Sequence, residues 1–524
     1  MLSLGKNHNP RRNGEILSQI NGGQLDLKRV LRETEKLYLE CTEKEIPLPA
    51  PVQKKQAFQE KILSGLFRPL SSVTELGAPS KIMMDAAGNV YPEWKETLDN
   101  EYNHLLSSQT REVNLADFGA IGDGRTDSTA AFKKAIGTGR VKVRVPEGIF
   151  ITKGILLPSW TCLVGAGKGK TIIKLHGDAP KGTRLVTNAN HWRGNHHLFV
   201  QGMTLDWNVE RLGNVPKTAT WGNHSSCLTY ANVTYGWVRD VEAINPGLHC
   251  FDISSTLYNY AGDGYRAKGG SSYIWLDNLN GYGFGDDGIT THHSEKVFIS
   301  NSHMCDPSGR AHKKGFSNSN GFEIDDGSRD VMLVNNSTAR CFGGVECKAH
   351  ENSSAAANVQ IIGHLSVNDN RSFNFRHIGH HKNTDNKSKT AYNLLATNLV
   401  SIAPIYSDLY ADSTPRGLVV SAYENVVINH FTLVGDPDYE YKGNPIIAIQ
   451  YRARKVILNH ISLCDFKKAG AGIKIYGGAN QADSVRIENV VSKNSSSKTV
   501  EVGQGIQDVT VTNVKEYTEP AIKK

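Results

Sequence analysis

One short β-prone run returns at intervals of roughly 30 residues through the second half of this chain, a period that restricts it to repeat architectures. Its copies begin at Val297, Val331, Val359, Val426, Val456, Val485 and Val509, with a weaker copy near Leu394 in the widest gap. Upstream, KVRVPEGIF, LFVQGMTLDW and SYIWLDNLN have the same character. One such strand cannot bury its apolar face, whereas successive turns stacked on each other make one continuous core. A hairpin sandwich would need tighter turn spacing. The 524 residues therefore predict an all-β main domain, a right-handed parallel β-helix, over 141–524. A capping segment at 111–140 and a helical N-terminal region at 1–110 are expected to precede it.

A second strand per turn aligns on a Gly-apolar-x-apolar pattern. Its copies are CFDIS (250–254), GITTH (288–292), GFEID (321–325), GVECK (344–348), SFNFR (372–376), GLVVS (417–421), IIAIQ (446–450), GIKIY (472–476) and TVEVG (499–503). Side chains alternate across a strand, so the second and fourth residues of each strip belong in the core and the others point outward. One outer column holds His249, Asp287, Asn320 and Gly343. The next holds Asp252, Thr290, Glu323, Glu346 and Asn374, and the third Ser254, His292, Asp325, Lys348 and Arg376. Asp286, Asp326, His350 and His377 flank them. Later turns carry Val419, Ala448, Ser421 and Gln450 in these columns, so the ionisable density is local.

Stacked turns lie ~4.8 Å apart, and carboxylates at that distance repel unless a cation, a metal or a shared proton offsets them. An ordinary polar face accounts for any one of these residues but poorly for the cluster. Unlike carboxyl environments create an acid and a base at neutral pH, which makes Asp286, Asp287, Glu323, Asp325 and Glu346 the candidate catalytic groups. Glu323 and Glu346 are expected about 5 Å apart, the spacing of a retaining glycosidase pair. Asp287 with Glu323, or Asp325 with Glu346, are expected roughly 8 Å apart, which suits an inverting enzyme. The sequence leaves that choice open. His249, Asp252, His292, Asp326, Lys348, His350, Arg376 and His377 are the candidate substrate-binding groups. Among them His292 is placed to shuttle a proton, and Lys348 and Arg376 point to an anionic ligand. No cofactor is required, and a divalent cation held by the carboxylates stays open.

Other features narrow the class. A net charge of +7 without a long Lys/Arg tract argues against nucleic acid as a partner. The cysteines at 41, 162, 227, 250, 305, 341, 347 and 464 form no CxxC pair and read as small core hydrophobes. The start, MLSLGKNHNPRRNGE, lacks the apolar segment of a secretory signal, and no run of about 18 apolar residues supports membrane insertion. Synthesis in a cytoplasm without a signal peptide is expected. Residues 14 to 68 space Leu, Ile and Val as helices do, with a break at Pro47-Leu-Pro-Ala-Pro51. Thr126 or Asp127 is expected to cap a short helix that buries Ala131, Phe132 and Ile136. Gly165-Ala-Gly-Lys-Gly-Lys-Thr171 is one residue short of a phosphate loop and has no helix after it. Arg376-His-Ile-Gly-His-His381 reads as a surface turn before a metal site. Trp192, Trp207, Trp221, Tyr230 and Trp237 suit either a sugar-stacking platform or packing.

The segment VNLADFGAIGDGRTDSTAAFKKAI (113–136) resembles the N-terminal cap of the pectate lyase superfamily of β-helix proteins. Gly285-Asp-Asp-Gly288 is similar to the double-aspartate motif of its polygalacturonase-like hydrolases, which implies an acid and a water-activating role for Asp286 and Asp287. Gly-His-Gly and Arg-Ile-Lys are missing, with GFEIDDGS (321–328) and VECKAH (345–350) in their place, so a pectin substrate is not implied. The whole resembles a bacteriophage or prophage tail spike of that superfamily. That resemblance implies a homotrimeric virion part that binds a bacterial surface glycopolymer such as teichoic acid or capsular polysaccharide. The resemblance covers about residues 113–524; residues 1–110 fall outside it, and attachment to other tail proteins or trimer assembly is the role expected of them. Hydrolysis of a glycan is the leading expectation. Phosphodiester cleavage in a teichoic acid, a polyuronate lyase and a purely adhesive spike are the alternatives.

Overall fold

The computed structural model describes residues 2–23, 25–43, 77–220, 222–256, 269–351, 353–381 and 391–517. The Pro47–Pro51 break and Trp221 lie outside the described residues. The chain winds as a parallel β-helix, and both strand families stack in unbroken register. Val297, Val331, Val359, Leu394, Val426, Val456, Val485 and Val509 are successive Cα partners. So are Asp252, Thr290, Glu323, Glu346, Asn374, Val419, Ala448, Lys474 and Glu501 in the second family. That second family forms one sheet of 12 strands. Its inward positions, among them Phe251, Ile253, Phe322, Ile324, Phe373 and Phe375, are fully buried in the central core.

Close packing explains the glycine that opens many of these strips. A Cβ at Gly321 would sit 2.2 Å from Thr338 Cγ2, and one at Gly472 would sit 2.8 Å from the carbonyl oxygen of Thr499. Each long strand of the first family also turns a corner at a left-handed residue near its middle. Asn335, Gly363, Asn398, His430, His460, Asn489 and Asn513 occupy that corner on successive turns. Short polar residues and glycine visit this region at least cost. Amides beside the corner bond from turn to turn, Asn459 Nδ2 to Asn429 Oδ1 at 3.0 Å and Asn489 Nδ2 to Asn459 Oδ1 at 2.8 Å.

The N-terminal helices lie along the flank of this solenoid. Helix Asn13–Ile20 buries Leu17 against Leu365, Val367 and Val400. Helix Leu27–Thr42 packs Leu37, Tyr38 and Cys41 onto Leu395, Val427 and Ile457. Helix Lys95–Ser107 places Leu98 and Leu105 with Phe199 and Trp237. The capping helix, Thr129–Ile136, buries Ala131, Phe132, Ala135 and Ile136. It starts slightly later than expected: Ser128 stands at the cap position, and Asp127 Oδ1 accepts from the Thr129 amide at 2.9 Å. None of the eight cysteines forms a disulfide, and seven are buried. Trp207, Tyr230 and Trp237 are core residues, while Trp192 is 57% exposed. No helix among the described residues is long and apolar enough to cross a membrane.

Candidate active site

The outer columns of turns 250 to 376 converge, but on a covered face rather than an open one. Asp252, Asp287, His292, Glu323, Asp325 and Glu346 are all buried although they stand in the outer columns, and so are the flanking Asp326 and His377. The strand repeat cannot foretell this, because non-repeating loops do the covering. Ser317 donates its amide to the Leu409 carbonyl at 2.9 Å and Ala411 its amide to that of Gly315 at 2.8 Å, which joins two loops above the site. From the first of these, His312 Nε2 reaches Asp286 Oδ2 at 3.0 Å. Side chains of Asp286, His312, His350 and Arg376 keep 15%, 33%, 28% and 25% exposure, and they define the approach.

At one end two histidines clamp Asp252. His249 Nδ1 lies 3.4 Å from its Oδ2 and His292 Nδ1 3.6 Å from its Oδ1. Burial alone would raise the Asp252 pKa, yet the hydrogen bonds and charges of the two rings outweigh it and hold the carboxyl at about 2. Burial likewise opposes the charged imidazoles, but Asp252 and Asp286 raise His249 to about 9, and Asp252 and Asp325 raise His292 to about 10. Both rings are therefore imidazolium at neutral pH. His249 Nε2 also lies 3.5 Å from Asp287 Oδ2, and His292 Nε2 3.6 Å from Asp325 Oδ2.

At the centre Asn320, an outer-column residue with no obvious chemistry of its own, organises three candidate carboxyls. Its Nδ2 lies 3.1 Å from Asp287 Oδ1, 3.2 Å from Glu323 Oε1 and 2.8 Å from Glu346 Oε2. Two amide hydrogens cannot serve three oxygens at once. Asp287 is pushed well above the ordinary aspartate range by burial, then by the neighbouring charges of Glu323 and Asp286. Asp286 and Asp325 are pulled the other way: burial opposes this, but His312 and His249 act on Asp286, and Lys348, His292 and His350 on Asp325.

The remaining sequence candidates have specific partners. Lys348 Nζ lies 2.6 Å from Glu323 Oε1, and Arg376 Nε 2.5 Å from Glu346 Oε1. Both cations offset carboxylates inside the site; Lys348 is buried there, while Arg376 keeps part of its surface toward the approach. Glu346 also accepts from Asn374 Nδ2 at 2.7 Å, so this fully buried carboxylate is saturated with donors. Asp326 accepts from the His350 amide at 2.8 Å and lies 3.1 Å from its Nδ1. His377 turns to the Ser353 carbonyl at 2.9 Å, and burial lowers it to about 3, so it stays neutral and apart from the carboxyls. The turn after it places His380 against the Glu351 carbonyl and stacks His381 on Tyr451.

Three groups here bring metal-ligand atoms together: His249 with Asp286 and Asp287, His292 with Glu323 and Asp325, and Asp325 with Asp326 and His350. The second fits a cation poorly, because the Lys348 ammonium already lies against Glu323. His312 escaped the sequence reading because it sits on a loop without a period. Asn320 was visible in its column but carries no charge to draw notice.

The buried carboxyl cluster thus lies on the stacked face of a parallel β-helix. Residues 112–346 match the family model of rhamnogalacturonase A/epimerase, pectate lyase-like proteins. It is 52% identical over 428 residues to the putative phage-related protein YobO of Bacillus subtilis (strain 168), covering 82% of this chain and 53% of that one. It is 44% identical over 406 residues to the pre-neck appendage protein of Bacillus phage phi29, covering 77% and 46%. The crystal structure of the pre-mature phi29 gene product 12 superposes with a TM-score of 0.73 at 43% identity, covering 77% of this chain and 52% of that one. The chain thus spans about half the length of the curated relatives it matches.

Proposed function

We propose that this chain is the glycan-cleaving β-helix of a phage or prophage appendage, and that it hydrolyses a bacterial surface glycopolymer such as teichoic acid or capsular polysaccharide. The observation that carries the reading is the opposed charge state of adjacent carboxyls: Asp287 is driven toward its protonated form while Asp286 and Asp325 are held ionised. Asp287 is the general acid that protonates the leaving oxygen. Asp286, ionised and on the solvent side, activates the attacking water, the role that the likeness of Gly285-Asp-Asp-Gly288 to the double-aspartate motif suggests. Burial and the charge of Glu323 keep the acid protonated against the opposing pull of Lys348, and Glu346 with Arg376 fixes Asn320. Anionic repeat units meet the loop that carries His312, Lys313 and Lys314, together with the exposed part of Arg376.

The appendage relatives support a place in the virion, with residues 1–110 mediating trimer assembly or attachment to other tail proteins. The test is incubation of the purified protein with purified teichoic acids, capsular polysaccharides and pectate, followed by sizing and end-group analysis. Hydrolytic shortening of one polymer is expected, with Asp287→Asn and Glu323→Gln each at least ~100-fold slower while still folded. New phosphomonoester ends would replace the glycosidase reading by phosphodiester cleavage, and unsaturated ends by elimination. Saturable binding without shortening would make the protein an adhesive spike.

A further inference from the structure

We infer that Glu33, His430 and His460 form a site for one divalent metal ion of the zinc type, which clamps the N-terminal helix Leu27–Thr42 to the flank of the solenoid. Glu33 projects from that helix, while the two histidines stand on adjacent turns. Glu33 Oε2 lies 3.2 Å from His430 Nε2, and its Oε1 lies 3.4 Å from His460 Nε2. The two imidazoles stack with centroids 4.4 Å apart and planes 24° from parallel, so both Nε2 atoms face the same carboxylate. All three ligand atoms fall within 4.8 Å of one another. Zinc binds imidazole nitrogen and carboxylate oxygen at ~2.0–2.2 Å, which puts neighbouring ligands of a tetrahedral ion roughly 3.3–3.5 Å apart. The observed separations are of that size.

The second observation is the position of the histidines. Both occupy the left-handed corner of their turns, with φ of 56° and 52°. On the other turns of the same column the corner is asparagine or glycine, with aspartate at Asp240 alone. Asparagine and glycine suit that backbone better than an imidazole does. The column therefore departs from its rule at the two turns that face Glu33, which fits a role for both rings at that carboxylate. Asn429 Nδ2 donates to Glu33 Oε2 at 3.1 Å and orients the carboxylate, as outer-sphere partners of metal ligands do. Side-chain exposures of 19% for His430, 40% for His460 and 36% for Glu33 leave the site open to an ion and to water as a fourth ligand. His292, Asp325 and the other site residues lie elsewhere on the molecule, so the clamp is independent of the proposed catalysis.

Substitution by the column's own residue makes a clean test. His430→Asn combined with His460→Asn restores the usual corner and is expected to fold with an unchanged melting temperature in EDTA. The full chain is titrated with Co²⁺ and with Zn²⁺, followed by visible absorption, calorimetry and thermal melting. The native chain should take up one more ion than the double variant, show the absorption of tetrahedral Co²⁺, and melt higher in Zn²⁺, whereas the variant should not. Glu33→Gln should weaken uptake at least tenfold. Equal stoichiometry and equal thermal response in the native and variant chains would overturn the proposal, as would a native chain that takes up neither ion.

Discussion

Charge inside the candidate site is settled by burial acting against a few contacts, and this has consequences for stability as well as for proton transfer. His249 and His292 carry pKa values raised from 6.5 to about 9 and about 10, so the stability they contribute is complete below pH 6.5 and is lost as the pH climbs through those values. Asp252, lowered from 3.8 to about 2, contributes stability above pH 3.8 that is lost as the pH falls through about 2. Melting temperature measured against pH should therefore hold a plateau between these limits and fall on the alkaline side. In His292→Gln the plateau should be lower and the alkaline fall shallower; an unchanged alkaline slope would show that the ring is not charged in the folded chain. Asn320 offers a second test at this scale. Asn320→Asp would place a further negative charge among Asp287, Glu323 and Glu346 and should cost about 3–5 kcal/mol in urea unfolding. Asn320→Ala, which only removes donors, should cost about 1–3 kcal/mol.

At the scale of the strand, the Gly-apolar-x-apolar strip is a packing rule with a measurable penalty. A methyl at Gly472 would meet Leu463 Cδ1 at 2.7 Å and the Thr499 carbonyl oxygen at 2.8 Å, and a backbone atom cannot swing aside. Gly472→Ala should destabilise the chain by about 1–3 kcal/mol, while Gly177→Ala, with open space around it, should be near neutral in the same urea titration. This rule is also why so much of the fold was legible in the sequence. A period of two within strands and one strand per turn fix which residues share a column, and the alignment of Asp252 through Glu501 is reproduced residue for residue in the structure. Burial of the outer columns was not legible, because the loops that carry His312 and Leu409 follow no period. Nor were the charge partners of Lys348 and Arg376: their columns were visible, but side-chain direction within a column depends on neighbours one turn away.

Across the whole molecule, stability in a solenoid is close to a sum over neighbouring turns, so it should vary along the axis rather than be shared evenly. The central strands Gly343–Ala349 and Ala357–Val367 are buried at every position and flanked by turns on both sides. The strand Val509–Tyr517 has no buried position and, among the described residues, pairs only with Asp483–Lys493. The helix Leu27–Thr42 adds a second source of order by covering Leu395, Val427 and Ile457, which spreads across three turns. Amide hydrogen exchange should accordingly be slowest over 343–367, intermediate over 392–464 and fastest over 500–517. Urea should release the last segment before the first, read peptide by peptide in the same mass-spectrometric experiment. Uniform protection along the axis, lost in a single step, would mean that the turns are coupled far beyond their neighbours. In that case the flanking N-terminal helices, which tie distant turns together, would be the structural reason, and removing residues 2–43 should restore the gradient.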